Sequence, residues 1–176
     1  MQGKAIVKNE TVPDVIKDYV THIDVPNSVI SIGNRAFYSC RSLTSINIPS
    51  SVTCIENWAL FNCTNLVSIN ALDSVLSVGD DAFACCEHLE SISIPQAVHL
   101  GGYAFTNCRS LKDIVMPTSI ACINNGTFRM CVNLTGIVIP DSVHDIGEAA
   151  FYECGLKSIV VPPSVKYIRP SAFEMC

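Results

Sequence analysis

The feature that most constrains this chain is a cysteine that recurs about every 23 residues. These cysteines are Cys40, Cys63, Cys86, Cys108, Cys131, Cys154 and Cys176, at steps of 23, 23, 22, 23, 23 and 22 residues. A large apolar residue stands three positions before each one: Phe37, Leu60, Phe83, Phe105, Phe128, Phe151 and Phe173. Self-similarity with a period of about 20 to 50 residues is the signature of solenoids and other repeat architectures. The chain is therefore predicted to be a stack of similar units.

A strand pattern, L-x-x-I-x-I-P, follows most of the cysteines. Its copies begin at Leu43, Leu89, Leu111, Leu134 and Leu156; an earlier copy begins at Val20, and the Leu66 copy departs from the pattern at Ala71 and Leu72. The apolar residues at its fourth and sixth positions alternate with polar or small ones, which is the period of a strand. Proline lacks an amide hydrogen and ends the strand. The pattern predicts seven parallel strands in one sheet along one side of the molecule.

The rest of each unit reads V-x-x-I and then A-F-x-x-C, and the latter spacing predicts a tight helical turn on the opposite side. One such unit cannot bury its apolar side alone, so the stacked units must share a continuous core. Residues 20–176 are predicted to form about seven repeats of 22–23 residues, the last one incomplete. Residues 1–19 leave the pattern. Because Val12, Val15, Ile16 and Tyr19 fit an amphipathic turn, this segment is predicted to be an N-terminal cap.

The order L-x-x-I-x-I-P-x-x-V-x-x-I-x-x-x-A-F-x-x-C resembles the BspA-like class of leucine-rich repeats, from roughly Val20 to Cys176. The resemblance implies an α/β solenoid, mostly β. Its form would be a horseshoe with a parallel concave sheet and a convex side of short turns and strands. It also implies a surface or secreted protein of bacteria or protozoa that adheres to host proteins or matrix. The residues Met1–Glu10 show no signal peptide, and this observation together with the free cysteines would by itself indicate the cytoplasm. The resemblance favours a cell-surface or secreted protein, and the sequence leaves both compartments open.

Charge and hydropathy exclude two classes of partner. The net charge is −5, and no lysine or arginine lies between Arg41 and Arg109. Binding to a phosphate backbone needs clustered cations, so we expect no nucleic-acid partner. No stretch approaches the roughly 18 unbroken apolar residues of a membrane helix, so we expect no membrane insertion.

The cysteines and histidines do not assemble into a recognisable chemical site. We predict that the recurring cysteines form a reduced, buried ladder, because free cysteine behaves as a small hydrophobe and side chains in a ladder point the same way. Cys54, Cys85 and Cys122 lie off this ladder, and no C-x-x-C pair suggests zinc. The histidines occupy different repeat positions, so no nucleophile, base and orienting group can be assembled. We therefore expect no catalytic residues, no metal and no cofactor.

The outward strand positions change character halfway along the chain. In the first half they are small and polar, but the second half places valine at the same position in three consecutive repeats. Exposed apolar residues on a solenoid face often mark an interaction site; the alternative is that valine simply suits a strand. Charged neighbours would form a rim, as an interface prefers. The predicted partner-binding residues are Lys112, Asp113, Val115, Val138, Lys157, Ser158 and Val160.

The C-terminal end offers a second candidate surface. The chain stops at Cys176, directly after Ala172–Phe173, where another strand would be expected. An open sheet edge invites pairing, so Phe173 and Cys176 are predicted to form an end interface, with a second copy or with a continuation of the chain. The leading hypothesis is a non-enzymatic module that binds a protein partner through the concave sheet, with adhesion as a candidate role. The alternative is an assembly subunit that packs through its C-terminal edge in an oligomer or larger complex.

Overall fold

The structure is a computed structural model, and it describes residues 17–70, 72–94 and 99–176. In this part of the chain the regular elements are short parallel strands, numbered here in chain order. The strands of the L-x-x-I-x-I segments are β1 (His22–Asp24), β3 (Ser45–Asn47), β5 (Ser68–Ile69), β7 (Ser91–Ser93) and β9 (Asp113–Val115). Those of the V-x-x-I segments are β2 (Ser31–Ile32), β4 (Cys54–Ile55), β6 (Ser77–Val78), β8 (His99–Leu100), β10 (Cys122–Ile123), β11 (Asp145–Ile146) and β12 (Tyr167–Ile168).

The first set of strands forms the predicted concave sheet, in the order β1-β3-β5 and β7-β9. Neighbouring strands are in register at the repeat length, with Ile23 opposite Ile46 and Ile46 opposite Ile69. The prediction of seven strands in this sheet was wrong, because the L-x-x-I-x-I segments of the sixth and seventh repeats form no strand in the described residues. Glycine weakens a strand, and Gly136 and Gly155 fall at or beside these two segments.

The V-x-x-I segments form a second parallel sheet, in the order β2-β4-β6-β8 and β10-β11-β12. Most of its isoleucines lie in the core; Ile55, Ile123 and Ile146 are completely buried, whereas Ile168 in the last repeat is exposed. The short convex strands that the resemblance implied are therefore present, and they form a second wall of the solenoid with one interruption between β8 and β10. The residues predicted to form the N-terminal cap lie mostly outside the described residues, and of the described ones Tyr19 is exposed.

The A-F-x-x-C segments form tight turns with two residues of each turn in the left-handed region. In the fourth full turn these are Tyr103 and Asn107, with φ of 57° and 59°. Because φ is positive at both positions, the segment is not the single helical turn that the spacing predicted. The left-handed conformation costs a residue other than glycine about 1–2 kcal/mol. Backbone hydrogen bonds between repeats offset that cost; for example, the Phe105 amide donates to the Thr127 carbonyl at 2.9 Å.

The phenylalanines of the turns form a continuous stack in the core. Ring centroids are 5.4 Å apart between Phe83 and Phe105, 5.7 Å between Phe105 and Phe128, and 5.4 Å between Phe128 and Phe151. All of these residues are completely buried. The rings therefore join consecutive repeats, which couples the stability of one repeat to that of its neighbours.

The cysteine ladder is buried as predicted from Cys40 to Cys154, whereas Cys176 is exposed. The structure also explains why the residue is cysteine. The Cys108 thiol donates to the Phe83 carbonyl at 3.2 Å, and the Cys131 thiol donates to the Phe105 carbonyl at 3.2 Å. An alanine or valine at this position could fill the space but could not donate. Burial raises the pKa of these thiols, so they stay protonated and unreactive in the folded chain.

The pair Gly101–Gly102 provides a test of how closely the repeats approach each other. A Cβ on Gly101 would lie 2.4 Å from the Gly79 carbonyl carbon, whereas a Cβ on Gly102 would meet no atom closer than 3.4 Å. We expect Gly101→Ala to lower the free energy of unfolding by about 2–3 kcal/mol, because the backbones must move apart. Gly102→Ala is the matched control and should change it by less than about 1 kcal/mol. Urea denaturation checks both variants, and equal effects would contradict the close approach.

Candidate interaction surface

The valine stripe, defined as Val115, Val138 and Val160, stands on the solvent side of three consecutive repeats. The exposed fractions of the three side chains are 55 %, 82 % and 83 %. Val115 belongs to β9, and the two others lie at the equivalent positions of the next two repeats. Their chain neighbours Ile114, Ile137 and Ile159 pack against the core instead. The alternation predicted from the sequence therefore places the valines outward.

The valine stripe lies where the concave sheet loses its hydrogen-bonded ladder. Among the described residues, no backbone hydrogen bond joins β9 to residues 134–139 of the next repeat. One such bond joins residues 134–139 to residues 156–161, from the Lys157 amide to the Thr135 carbonyl at 3.2 Å. Gly136 presents no side chain two residues before Val138, and a Cβ there would point into open space, with no atom within 4 Å. The surface around the valine stripe is consequently open and held less by its own backbone than the first half of the sheet.

The polar residues predicted to flank the valine stripe are exposed. Lys112 forms an ion pair with Glu90 at 3.2 Å, and both side chains are well exposed, so the pair contributes little to stability. Asp113, Lys157 and Ser158 are exposed, and none of the described acidic side chains forms an ion pair with Lys157. These predicted residues are thus exposed in the same repeats as the valine stripe, and their role in binding stays a prediction.

The first half of the concave sheet carries a hydrogen-bonded polar network that the sequence analysis missed. The two ring nitrogens of His22 lie 2.7 Å from the Ser45 hydroxyl and 3.1 Å from the Asp24 carboxylate. The Asn47 amide also donates to Asp24 at 2.6 Å, and this hydrogen bond, followed by that to His22, lowers the pKa of the carboxyl. The signal lay in the register, since residues 23 apart in sequence are opposite each other on neighbouring strands.

This trio of serine, histidine and aspartate has the residue types of a hydrolytic triad but not its surroundings. The side chains of His22 and Asp24 are 46 % and 73 % exposed. A serine nucleophile works where water is excluded and donors are aimed at the developing oxyanion. We therefore interpret the network as a polar part of the open sheet surface.

The last repeat exposes positions that are buried in the repeats before it. Ile168 is 53 % exposed, whereas the equivalent Ile146 is fully buried. Met175 and Cys176 are exposed too, and Phe173 is half-buried, with its ring stacked on Phe151 at 5.3 Å. The two residues predicted for an end interface therefore border an apolar surface, and that interface stays a prediction.

The described part of the chain offers neither a metal cluster nor a membrane-spanning helix. Within residues 17–70, 72–94 and 99–176, no group of three or more histidine, cysteine, aspartate or glutamate side chains could hold a metal ion. In the same ranges, no helix combines the length and hydropathy needed to span a membrane. Cys122, one of the three cysteines off the ladder, has its pKa raised by burial and by Asp145.

Comparison with solved structures finds bacterial leucine-rich-repeat proteins. A leucine-rich-repeat protein of T. pallidum is 29 % identical, with a TM-score of 0.79 over 84 % of this chain and 73 % of its own. A leucine-rich cell surface protein of Faecalibacterium prausnitzii is 24 % identical, with a TM-score of 0.60 over 90 % of this chain and 58 % of its own. The pneumococcal vaccine antigen PcpA shares the fold at 21 % identity and a TM-score of 0.67, over 88 % of this chain and 43 % of its own.

A search of curated proteins finds no significant match. The family model described as "BspA type Leucine rich repeat region" matches residues 17–123 and 98–176, in six copies. Together these ranges cover almost the whole chain, and the fold agrees with that of the solved leucine-rich-repeat proteins. The chain therefore belongs to the BspA-type leucine-rich repeat family.

Proposed function

We propose that this chain is a non-enzymatic protein-binding module whose partner docks on the valine stripe. The observation that carries the proposal is the exposure of three aligned valines, two of them more than four-fifths exposed. Aliphatic side chains that stay exposed together on one face gain free energy when a partner covers them, at about 25 cal/mol for each Å² of apolar surface buried. Glu90, Lys112, Asp113 and Lys157 would form the polar rim around them.

A role in adhesion at a bacterial cell surface is part of this proposal. The Faecalibacterium protein is described as a cell surface protein, and the pneumococcal protein as a vaccine antigen. Both share the fold with this chain. An exposed solenoid face suits a protein that works by contact, because repeat scaffolds present long surfaces to partners.

Replacing two members of the valine stripe tests the proposed surface. We expect the double variant Val138→Asp/Val160→Asp to bind at least tenfold more weakly than the parent chain to any extracellular-matrix protein that the parent binds. The reason is that a partner would have to bury two unpaired carboxylates. Because both positions are exposed, the free energy of unfolding should change by less than about 0.5 kcal/mol. The measurement is biolayer interferometry against immobilised fibronectin, laminin and collagen.

The control for this experiment is Leu76→Asp, an exposed leucine outside the valine stripe. It adds a carboxylate but should leave binding unchanged. If the double variant binds as tightly as the parent chain, the partner does not use the stripe. If the parent chain binds none of the matrix proteins, the adhesive part of the proposal is contradicted.

Assembly through the last repeat is a second candidate, supported by the exposure of Ile168 at a position buried in earlier repeats. Light scattering after size exclusion, over a concentration series, distinguishes the two. A mass of 19.1 kDa at every concentration contradicts self-assembly. A larger species that Ile168→Asp returns to the monomer would support it.

A further inference from the structure

We propose that the partner presents an amphipathic α-helix that lies along the valine stripe, across the direction of the strands. Its apolar side chains would stand at positions i, i+3 or i+4, and i+7. This inference rests on the proposed function, because it states what kind of surface element occupies the same site. It follows from the direction, spacing, relief and charge of the stripe.

The direction follows from which outward residues are apolar. Along each segment the other outward residue is polar or small: Asp113 in the fifth repeat, Gly136 in the sixth and Ser158 in the seventh. The apolar line therefore runs from repeat to repeat and is one residue wide. A partner element parallel to the strands would cover one valine, whereas an element across the strands covers three.

The spacing of the valines fits a helix better than an extended chain. The phenylalanine stack measures the rise from repeat to repeat, with ring centroids 5.7 Å and 5.4 Å apart in these repeats, so three equivalent residues span about 11 Å. Seven residues of an α-helix rise about 10.5 Å, with an intermediate contact after three or four residues. Residues on the same face of an extended chain are about 6.7 Å apart, which does not match the spacing of the valines.

The local relief also favours a helix over an added strand. Because Gly136 has no side chain and faces open space, a side chain from a ridge of the partner helix has room beside Val138. An added strand needs the free edge of a sheet for its backbone hydrogen bonds. The valine stripe crosses the face of the sheet, so the contact must be made by side chains.

Charge complementarity supplies an orientation for the helix. Asp113 stands beside the first valine, and Lys157, which pairs with none of the described acidic side chains, stands beside the last. The N-terminus of a helix carries partial positive charge and its C-terminus partial negative charge. The helix N-terminus therefore lies towards Asp113 and its C-terminus towards Lys157. The positive charge of Lys112 does not repel the helix N-terminus, because Glu90 forms an ion pair with Lys112.

Two display libraries test the inference, and neither requires the natural partner. One presents randomised faces of a helix on a helical scaffold, and the other presents randomised faces of a strand on a sheet scaffold. Both are selected against the parent chain and counter-selected against Val138→Asp/Val160→Asp. We expect the helix library to yield binders with apolar residues at i, i+3 or i+4, and i+7. These should lose at least tenfold in affinity for the double variant and keep it for Leu76→Asp.

The orientation is tested with the charge-exchange variant Asp113→Lys/Lys157→Glu, which should weaken the selected helices about threefold at low salt. Stripe-dependent binders that come from the strand library alone would overturn the helix inference and leave the proposed function standing. Binders from either library that are indifferent to Val138→Asp/Val160→Asp would overturn both. A helix that binds more tightly to the charge-exchange variant would overturn the orientation.

Discussion

The chain is expected to lose most of its stability in moderately alkaline solution, beginning near pH 9. Cys63, Cys86, Cys108 and Cys131 are buried in the core, and burial raises the pKa of each thiol from the ordinary value of 9.0. The pKa of Cys40 is raised to about 11, also mainly by burial. Above pH 9 the unfolded chain releases these protons while the folded chain keeps them, so rising pH favours unfolding.

The size of this effect follows from the number of thiols. Each group whose pKa stays above the solution pH costs about 1.4 kcal/mol of stability per pH unit above its unfolded pKa. Four such groups together cost about 5 kcal/mol per unit, comparable to the total stability of a typical domain of about 5–15 kcal/mol. The stabilising contribution is complete below pH 9 and disappears as the pH rises towards the raised values.

Urea denaturation at pH 7, 8, 9 and 10 measures the expected loss. Cys108→Ala is the matched variant: it lowers stability at pH 7, since a donor to the Phe83 carbonyl is removed. It should also make the free energy of unfolding fall less steeply with pH above 9, by the contribution of about one thiol proton. This is a quarter of the effect of the four thiols. A free energy of unfolding that is level between pH 8 and pH 10 would contradict the buried, protonated ladder.

The second large effect is expected at the centre of the phenylalanine stack. Phe128→Ala should lower the free energy of unfolding by about 3–5 kcal/mol, because truncation of a buried ring leaves a cavity. The Phe128 ring is fully buried and stacks on Phe105 and Phe151 at 5.7 and 5.4 Å. The loss should fall mainly on the following repeats, because the cavity weakens their contact with the longer stack of repeats that precedes Phe128, and a solenoid is stabilised by contacts between adjacent repeats.

Urea denaturation gives the total effect, and hydrogen exchange locates it. Amides of the repeats that follow Phe128 should lose protection before those of the first repeats. Phe61→Ala is the control, because Phe61 is only half-buried and its ring is stacked on one partner, Tyr38, at 5.1 Å. Uniform loss of protection along the chain would mean that the repeats unfold as one unit.

Much of the fold is predictable because the same pattern of 22–23 residues recurs along the chain. The stacked phenylalanines and cysteines recur at 22–23 residues, and their burial follows from the need of each unit to cover the next. The outward direction of Val115, Val138 and Val160 follows from the strand alternation alone. Both inferences depend on local pattern, which is why they survive in the folded chain.

The repeat, the core and the outward valines can be read from the amino-acid pattern, whereas the hydrogen bonds between neighbouring repeats appear only in the folded chain. The Asn70 side chain bonds both the amide and the carbonyl of Ile48, at 2.6 and 3.0 Å, in the repeat that departs from the pattern. The contact of His22 with Ser45 and the loss of the ladder beyond β9 are also relations between repeats. Such bonds depend on the distance and register between adjacent backbones, which no single repeat encodes. Around the valine stripe such bonds are few among the described residues, and this is the surface on which we propose that the partner docks.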